Sequence, residues 1–210
     1  MAKTPRPGTV KTCLHPLLGP QRCAEPQAEL IRHTLAVSTA RTPRTYLAYA
    51  TDDGEDAIGT AVPAGVRLLS QRGEDLGARL AAAVTDAFAD GAGPLLVIGT
   101  DAPTLTEDHL SAAFTALQRH DVTLGPALDG GYYLLGVRAP HTTLFALDPD
   151  VWSTDRVLAA TRALAAGEGL SLRLLRPLRD LDTPEDAAAL LTDPALPTPI
   201  AALLQPEERP

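Results

Sequence analysis

The chain has 210 residues, of which 45% are apolar and 21% charged, and its formal net charge is −8. That is the composition of one globular domain with enough chain for a sizeable core, and not of a disordered chain. The acidic balance excludes the basic surface that a long nucleic acid requires. No stretch reaches the roughly 18 apolar residues of a membrane span, and no early apolar run has the form of a signal peptide. Cys13 and Cys23, the only cysteines, form neither a disulfide framework nor a metal spacing. They read as reduced thiols of a cytoplasmic protein.

Charge is uneven along the chain. Residues 1–24 hold no Asp or Glu, yet carry Lys3, Arg6, Lys11 and Arg22, which reads as a solvated basic end or as an anion-binding loop. Helical spacing predicts a helix over 19–40. A strand over 44–50 ends in the polar turn Thr51-Asp52-Asp53-Gly54, and a second strand covers 66–71. Leu76, Leu80, Ala83, Val84, Ala87 and Phe88 mark an amphipathic helix over 74–89. "PLLVIG" (94–99) is a continuous apolar run, as expected of a strand covered on both faces. Thr106, followed by Glu107 and Asp108, starts another helix.

Strands over 121–127 and 131–137 flank Leu128-Asp129-Gly130. Ser153 is expected to cap a helix running to about Gly167, and 170–176 to form the last strand. Thr183-Pro184-Glu185-Asp186 combines a cap, Pro at the first helical position and two acids, a helix start. A single domain over 1–192 is expected, with a Pro-rich, irregular tail over 193–210. Alternating strands and helices predict a three-layer α/β (αβα) sandwich with a mostly parallel sheet. In such sheets ligands bind outside the carboxyl ends of the strands.

That rule selects the candidate residues. Asp101, in Gly99-Thr100-Asp101-Ala102-Pro103, follows a buried strand directly and is a metal ligand or a turn former. Asp180 and Asp182 alternate just before a helix, as further ligands or, for Asp182, as a cap. Lys11 and Gly8 lie in a Lys-flanked, Gly-containing loop of a kind that cradles phosphates, without Walker A spacing. Gln71, Gly73, Asp75 and Arg79 occupy a strand-to-helix junction, where they face an anion or simply start the helix. Gly130 and Gly131 make a tight hairpin or admit a substrate to the backbone. Ser153 and Thr154 bind an acceptor's anionic group or begin a helix. The five histidines show no ligand spacing.

The segments "AKTPRPGTVKT", "QRGEDLGARL", "GTDAPTLT", "LGPALDGGYYLLG", "WSTDRV" and "LRDLDTPED" together resemble a bacterial family. It is the group of small nucleotide-diphospho-sugar transferase-like proteins, some linked to arsenosugar biosynthesis. They are related to the molybdenum-cofactor and the phospholactate or phosphoenolpyruvate guanylyltransferases. The resemblance runs from about residue 2 to 190 and implies the GT-A nucleotide-binding fold. It places Lys11 on the donor's phosphates beside the loop around Gly8, and Gln71, Gly73, Asp75 and Arg79 on the nucleotide side. Asp101, Asp180 and Asp182 would hold Mg²⁺ or Mn²⁺. Gly130, Gly131, Ser153 and Thr154 would border the acceptor.

Two departures stand out. The family carries an apolar strand before the Ala-Lys-x-Pro segment, central in the sheet, and none precedes Ala2 here. A start codon assigned too far downstream would account for that, and the lack of the strand would expose two strand edges. The family also has Arg where this chain has Cys13, so a bidentate phosphate contact is missing. The expected activity is metal-dependent glycosyl transfer from a nucleotide-sugar to a small-molecule acceptor. The alternatives are guanylyl or cytidylyl transfer from a nucleoside triphosphate to a small phosphorylated acceptor, and nucleotide binding with impaired catalysis.

Overall fold

The structure is a computed structural model that describes residues 1–50 and 62–205. Its strands are β1 (Tyr46–Tyr49), β2 (Arg67–Ser70), β3 (Leu95–Ile98), β4 (Val122–Pro126), β5 (Tyr132–Val137) and β6 (Leu172–Leu174). Its helices are α1 (His15–Leu18), α2 (Ala24–Arg41), α3 (Leu76–Ala89), α4 (Glu107–Leu117), α5 (Val157–Gly167), α6 (Pro184–Leu191) and α7 (Thr198–Leu204). The expected turn at Thr51-Asp52-Asp53-Gly54 lies outside the described residues.

Local chemistry sets where the helices begin. Asp75 caps α3, its carboxylate accepting from the Ala78 N–H at 2.7 Å. Thr106 precedes α4 and donates its N–H to His109 Nδ1 at 3.2 Å. Thr183 accepts from the Asp186 N–H at 3.1 Å while the Asp186 carboxylate accepts from the Thr183 N–H, a reciprocal capping box opening α6.

The strands form two sheets. β1 and β2 pair in parallel. The other four run in the order β3-β5-β4-β6. β5 is antiparallel to both its neighbours, while β4 and β6 are parallel. Thus β3, β4 and β6 share one direction and only β5 opposes them. Helices cover the larger sheet on both faces. Leu80, Val84, Leu144, Phe145 and Ala165 pack with Val122, Leu124, Leu135 and Val137 on one face, and Leu110 and Ala113 pack with Tyr133 and Leu134 on the other.

The first two residues tie the sheets together. Ala2 makes a parallel bridge with Tyr49 and donates its N–H to Ala48 O at 2.9 Å, while the Met1 amine donates to Ile98 O at 3.1 Å. Among the described residues, β1 and β3 share no ladder. Between them lies a cavity of about 450 Å³, lined by apolar side chains that include Leu35, Leu47, Leu69, Val84 and Leu96. The two exposed strand edges expected from the sequence therefore face each other across this cavity. For the same reason β3 is only partly buried along its length, and not covered as its apolar sequence suggests.

Two further expectations are corrected. Residues 198–204, expected to be irregular, form α7, whose Ile200 and Leu204 are fully buried against Leu14, Leu30 and Leu190. The helix expected to start at Ser153 starts at Val157. Ser153 sits before it at φ +63°, away from the extended backbone typical of an N-cap, and Arg156 takes the N-cap position.

Leu181 joins the segment before α6 to this second core, with 0% of its surface exposed. Truncating it to Ala should cost about 2–5 kcal/mol, measured as a lower urea midpoint with an unchanged m-value. A loss under about 1 kcal/mol would show that this segment is not anchored by its buried leucine.

Candidate functional site

Four chain segments meet at the carboxyl edge of the larger sheet. β3 continues through Gly99, whose N–H donates to Tyr133 O at 2.9 Å, and delivers Asp101 just beyond the sheet. β4 continues to Ala127 and then to Asp129, whose carboxylate is held by the Gly131 N–H at 2.9 Å. The return from β6 lies beside the end of β4. Leu178 N–H donates to Pro126 O, and Leu128 N–H to Leu178 O, both at 3.0 Å. Leu181 N–H donates to Asp101 O at 2.8 Å, locking the return onto the end of β3. Because alternate residues of an extended chain point in opposite directions, burying Leu181 turns Asp180 and Asp182 the other way.

The carboxylates of Asp129, Asp180 and Asp182 converge, each offering an oxygen within 4.8 Å of the others. Asp180 Oδ1 is buried and has no hydrogen-bond partner among the described residues. Burial first, and then the charges of Asp101, Asp129 and Asp182, push its pKa up to about 8, with Lys11 pulling the other way. Asp182 is free for this role because Thr183, not Asp182, caps α6.

Lys11 closes the other side of the site. Its side chain is only 5% exposed. The ammonium donates to Asp101 Oδ1, to Leu181 O at 2.7 Å and to Asp182 Oδ1 at 3.0 Å. Burial favours the neutral amine, but Asp101 and Asp182 more than offset it and hold the ammonium above its ordinary pKa. Asp101 thus meets Lys11, and its charge is also the first of those that act on Asp180, while Asp129, which the sequence did not single out as a ligand, joins Asp180 and Asp182 in the converging group.

Asp129 follows β4 as Asp101 follows β3. That shared position at the end of a strand was the available signal, and the adjacent Gly130-Gly131 made it read as hairpin chemistry. Gly130 does more than turn the chain. It sits at φ +92°, and a Cβ there would lie 2.3 Å from Asp155 O. Its carbonyl accepts from Leu158 N–H at 3.0 Å, so the hairpin packs onto the segment carrying Ser153 and Thr154. Thr154 Oγ1 donates to Val151 O at 2.7 Å, and Ser153 is exposed.

The remaining candidates have local partners. Gly8 donates its N–H to Pro20 O at 2.8 Å. Gln71 Nε2 donates to Ala2 O at 3.2 Å and Ala48 O at 3.0 Å, fastening the amino-terminal residues to β1. Arg79 Nε donates to Gly73 O at 3.0 Å, bracing the entry to α3 that Asp75 caps. Cys13 is exposed, and Cys23 is buried.

Three converging carboxylates, one of them with a buried oxygen that has no partner among the described residues, fit a hard divalent cation, which takes oxygen ligands and needs few from the protein. The acid–lysine arrangement at a sheet's carboxyl edge is also the usual ligand position in an α/β fold.

Residues 34–154, more than half of the chain, match the family described as "Uncharacterized protein conserved in bacteria (DUF2064)". The chain belongs to this family. Its structure is similar to that of a protein from Desulfovibrio desulfuricans G20 described as a "putative nucleotide-diphospho-sugar transferase", with a TM-score of 0.79 and 28% identity over 97% of this chain and 94% of that one. It is also similar to the homolog of Mycobacterium tuberculosis rv0371c from Mycobacterium sp. strain JC1 (TM-score 0.55, 18% identity, 83% of each chain). A third likeness is to HddC from Yersinia pseudotuberculosis (TM-score 0.50, 13% identity, 76% of this chain and 82% of that one). The last two show the fold alone. No protein of curated function matches. The fold is the GT-A nucleotide-diphospho-sugar transferase type, and the first likeness supports a transferase-like role. No helix among the described residues is long and apolar enough to cross a membrane.

The raised pKa of Asp180 has a measurable consequence for the metal-free protein. Between about pH 4 and 8 the native state holds a proton on Asp180 that the unfolded chain has released, so stability falls as pH rises through that window. The expected loss is a few kcal/mol, read from urea titrations in EDTA at pH 5 and pH 8. Asp180→Asn should flatten the slope, and an equally steep slope in the variant would contradict the assignment.

Proposed function

We propose that this chain is a metal-dependent, glycosyltransferase-like enzyme that takes a nucleotide-sugar donor and a small-molecule acceptor. The observation that carries this reading is the convergence of Asp129, Asp180 and Asp182, beside Lys11, at the carboxyl edge of a GT-A sheet. Asp180 and Asp182, with Asp129, would hold Mg²⁺ or Mn²⁺. When bound, that cation would neutralise charge on a nucleoside diphosphate leaving group.

The chain's own groups do the rest. Lys11 supplies a positive charge at the same edge, where charge develops on the departing phosphate, and Asp101 keeps that ammonium in place. The loop around Gly8 and the junction of Gly73, Asp75 and Arg79 take the nucleotide side. The hairpin at Gly130 and Gly131, packed on the segment with Ser153 and Thr154, takes the acceptor side. An acceptor hydroxyl held there attacks the anomeric carbon as the bond to the nucleoside diphosphate breaks, and the hydroxyl proton passes to the departing phosphate or to solvent, which leaves orientation and electrostatics to the protein.

A thermal-shift screen of nucleotide-sugars with Mn²⁺ or Mg²⁺ tests the reading. The true donor should stabilise the protein by about 2.7 kcal/mol at a hundredfold excess over Kd. That stabilisation should vanish in EDTA and in Asp182→Asn. In turnover assays the expected product is the nucleoside diphosphate. Pyrophosphate released from GTP or CTP, with no consumption of any nucleotide-sugar, would instead establish nucleotidylyl transfer.

A further inference from the structure

Lys11 holds a cation's position. Its backbone is left-handed at φ +48°, one of two non-glycine residues among those described with positive φ, a conformation kept only where the surroundings over-determine it. Its ammonium has three N–H groups, and Asp101 Oδ1, Leu181 O and Asp182 Oδ1 account for all three. In this arrangement it has no donor left for a phosphate. Asp182 serves on both sides, since its carboxylate meets Lys11 and also belongs to the group with Asp129 and Asp180.

A divalent cation at that group would stand only a few ångströms from the ammonium, sharing a carboxylate with it. Positive charges at such a distance oppose each other, and of the two the lysine side chain is the one that can swing away. We propose that Lys11 is a resident counter-ion that competes with the divalent cation for Asp182. Metal binding releases the ammonium, which then becomes available to the donor's diphosphate. This rests on the metal-dependent reading above and adds an order to it, with the cation first and the anionic donor second.

The chain has only two lysines, Lys3 and Lys11, and Lys3 is exposed, so amine labelling reads the release directly. The wild-type chain is labelled by reductive methylation in EDTA or in MnCl₂, with bound Mn²⁺ measured by electron paramagnetic resonance in the same samples. Lys11 should label at least tenfold faster with Mn²⁺, while Lys3 stays unchanged. If Mn²⁺ binds and Lys11 remains protected, the competition is overturned and the metal site stands. If no Mn²⁺ binds, the metal-dependent reading falls and this inference falls with it. Lys11→Gln, which keeps hydrogen-bond donors and removes the charge, should bind Mn²⁺ at least tenfold more tightly than wild type without nucleotide. Equal or weaker binding overturns the competition.

Discussion

The contact of the Lys11 ammonium with Asp101, Leu181 O and Asp182 is the point on which the site depends. It joins three regions far apart in sequence: the acid-free amino-terminal loop, the end of β3 and the segment before α6. It places one positive charge against a set of carboxylates that would otherwise repel one another in a half-buried position. Removing one partner from such a cluster leaves the others uncompensated, so its members are strongly coupled.

The apolar scaffold makes that electrostatic arrangement possible. Leu181 is buried between two acids, and its burial turns Asp180 and Asp182 toward the cluster. The Leu178 bridge to Ala127 sets that segment alongside the end of β4, where Asp129 lies. Gly130 then lets the β4–β5 hairpin close onto the segment carrying Ser153 and Thr154. Core packing, register and one positive-φ turn therefore decide which carboxylates meet. Between β1 and β3, Met1 and Ala2 connect the two sheets beside an apolar cavity.

Much of this was legible in the sequence, because it rests on local patterns. Apolar runs marked the strands to within a few residues, and Thr183-Pro184-Glu185-Asp186 marked α6 through chemistry that the structure reproduces. Asp180 and Asp182 were singled out by their place after a strand. What was not legible depended on contacts between distant segments. Asp129 looked like part of a turn because its partners lie some fifty residues away. Lys11 looked like a free phosphate ligand because nothing local shows that Asp101 and Asp182 occupy its protons. The helix over 198–204 was hidden by proline density, although Pro199 lies in its first turn, where proline is tolerated. Ser153 has the residue type of a cap, but the helix begins only at Val157, with Arg156 before it.

The location of the bound metal bears most directly on this picture. Anomalous diffraction at the manganese edge, from crystals grown with Mn²⁺ and a nucleoside diphosphate, would place the ion. The expected result is one peak about 2–2.5 Å from oxygens of Asp129, Asp180 and Asp182, with the Lys11 ammonium moved off Asp182 onto the diphosphate. A peak ligated elsewhere, or none while the nucleotide is bound and Lys11 still contacts Asp182, would contradict it.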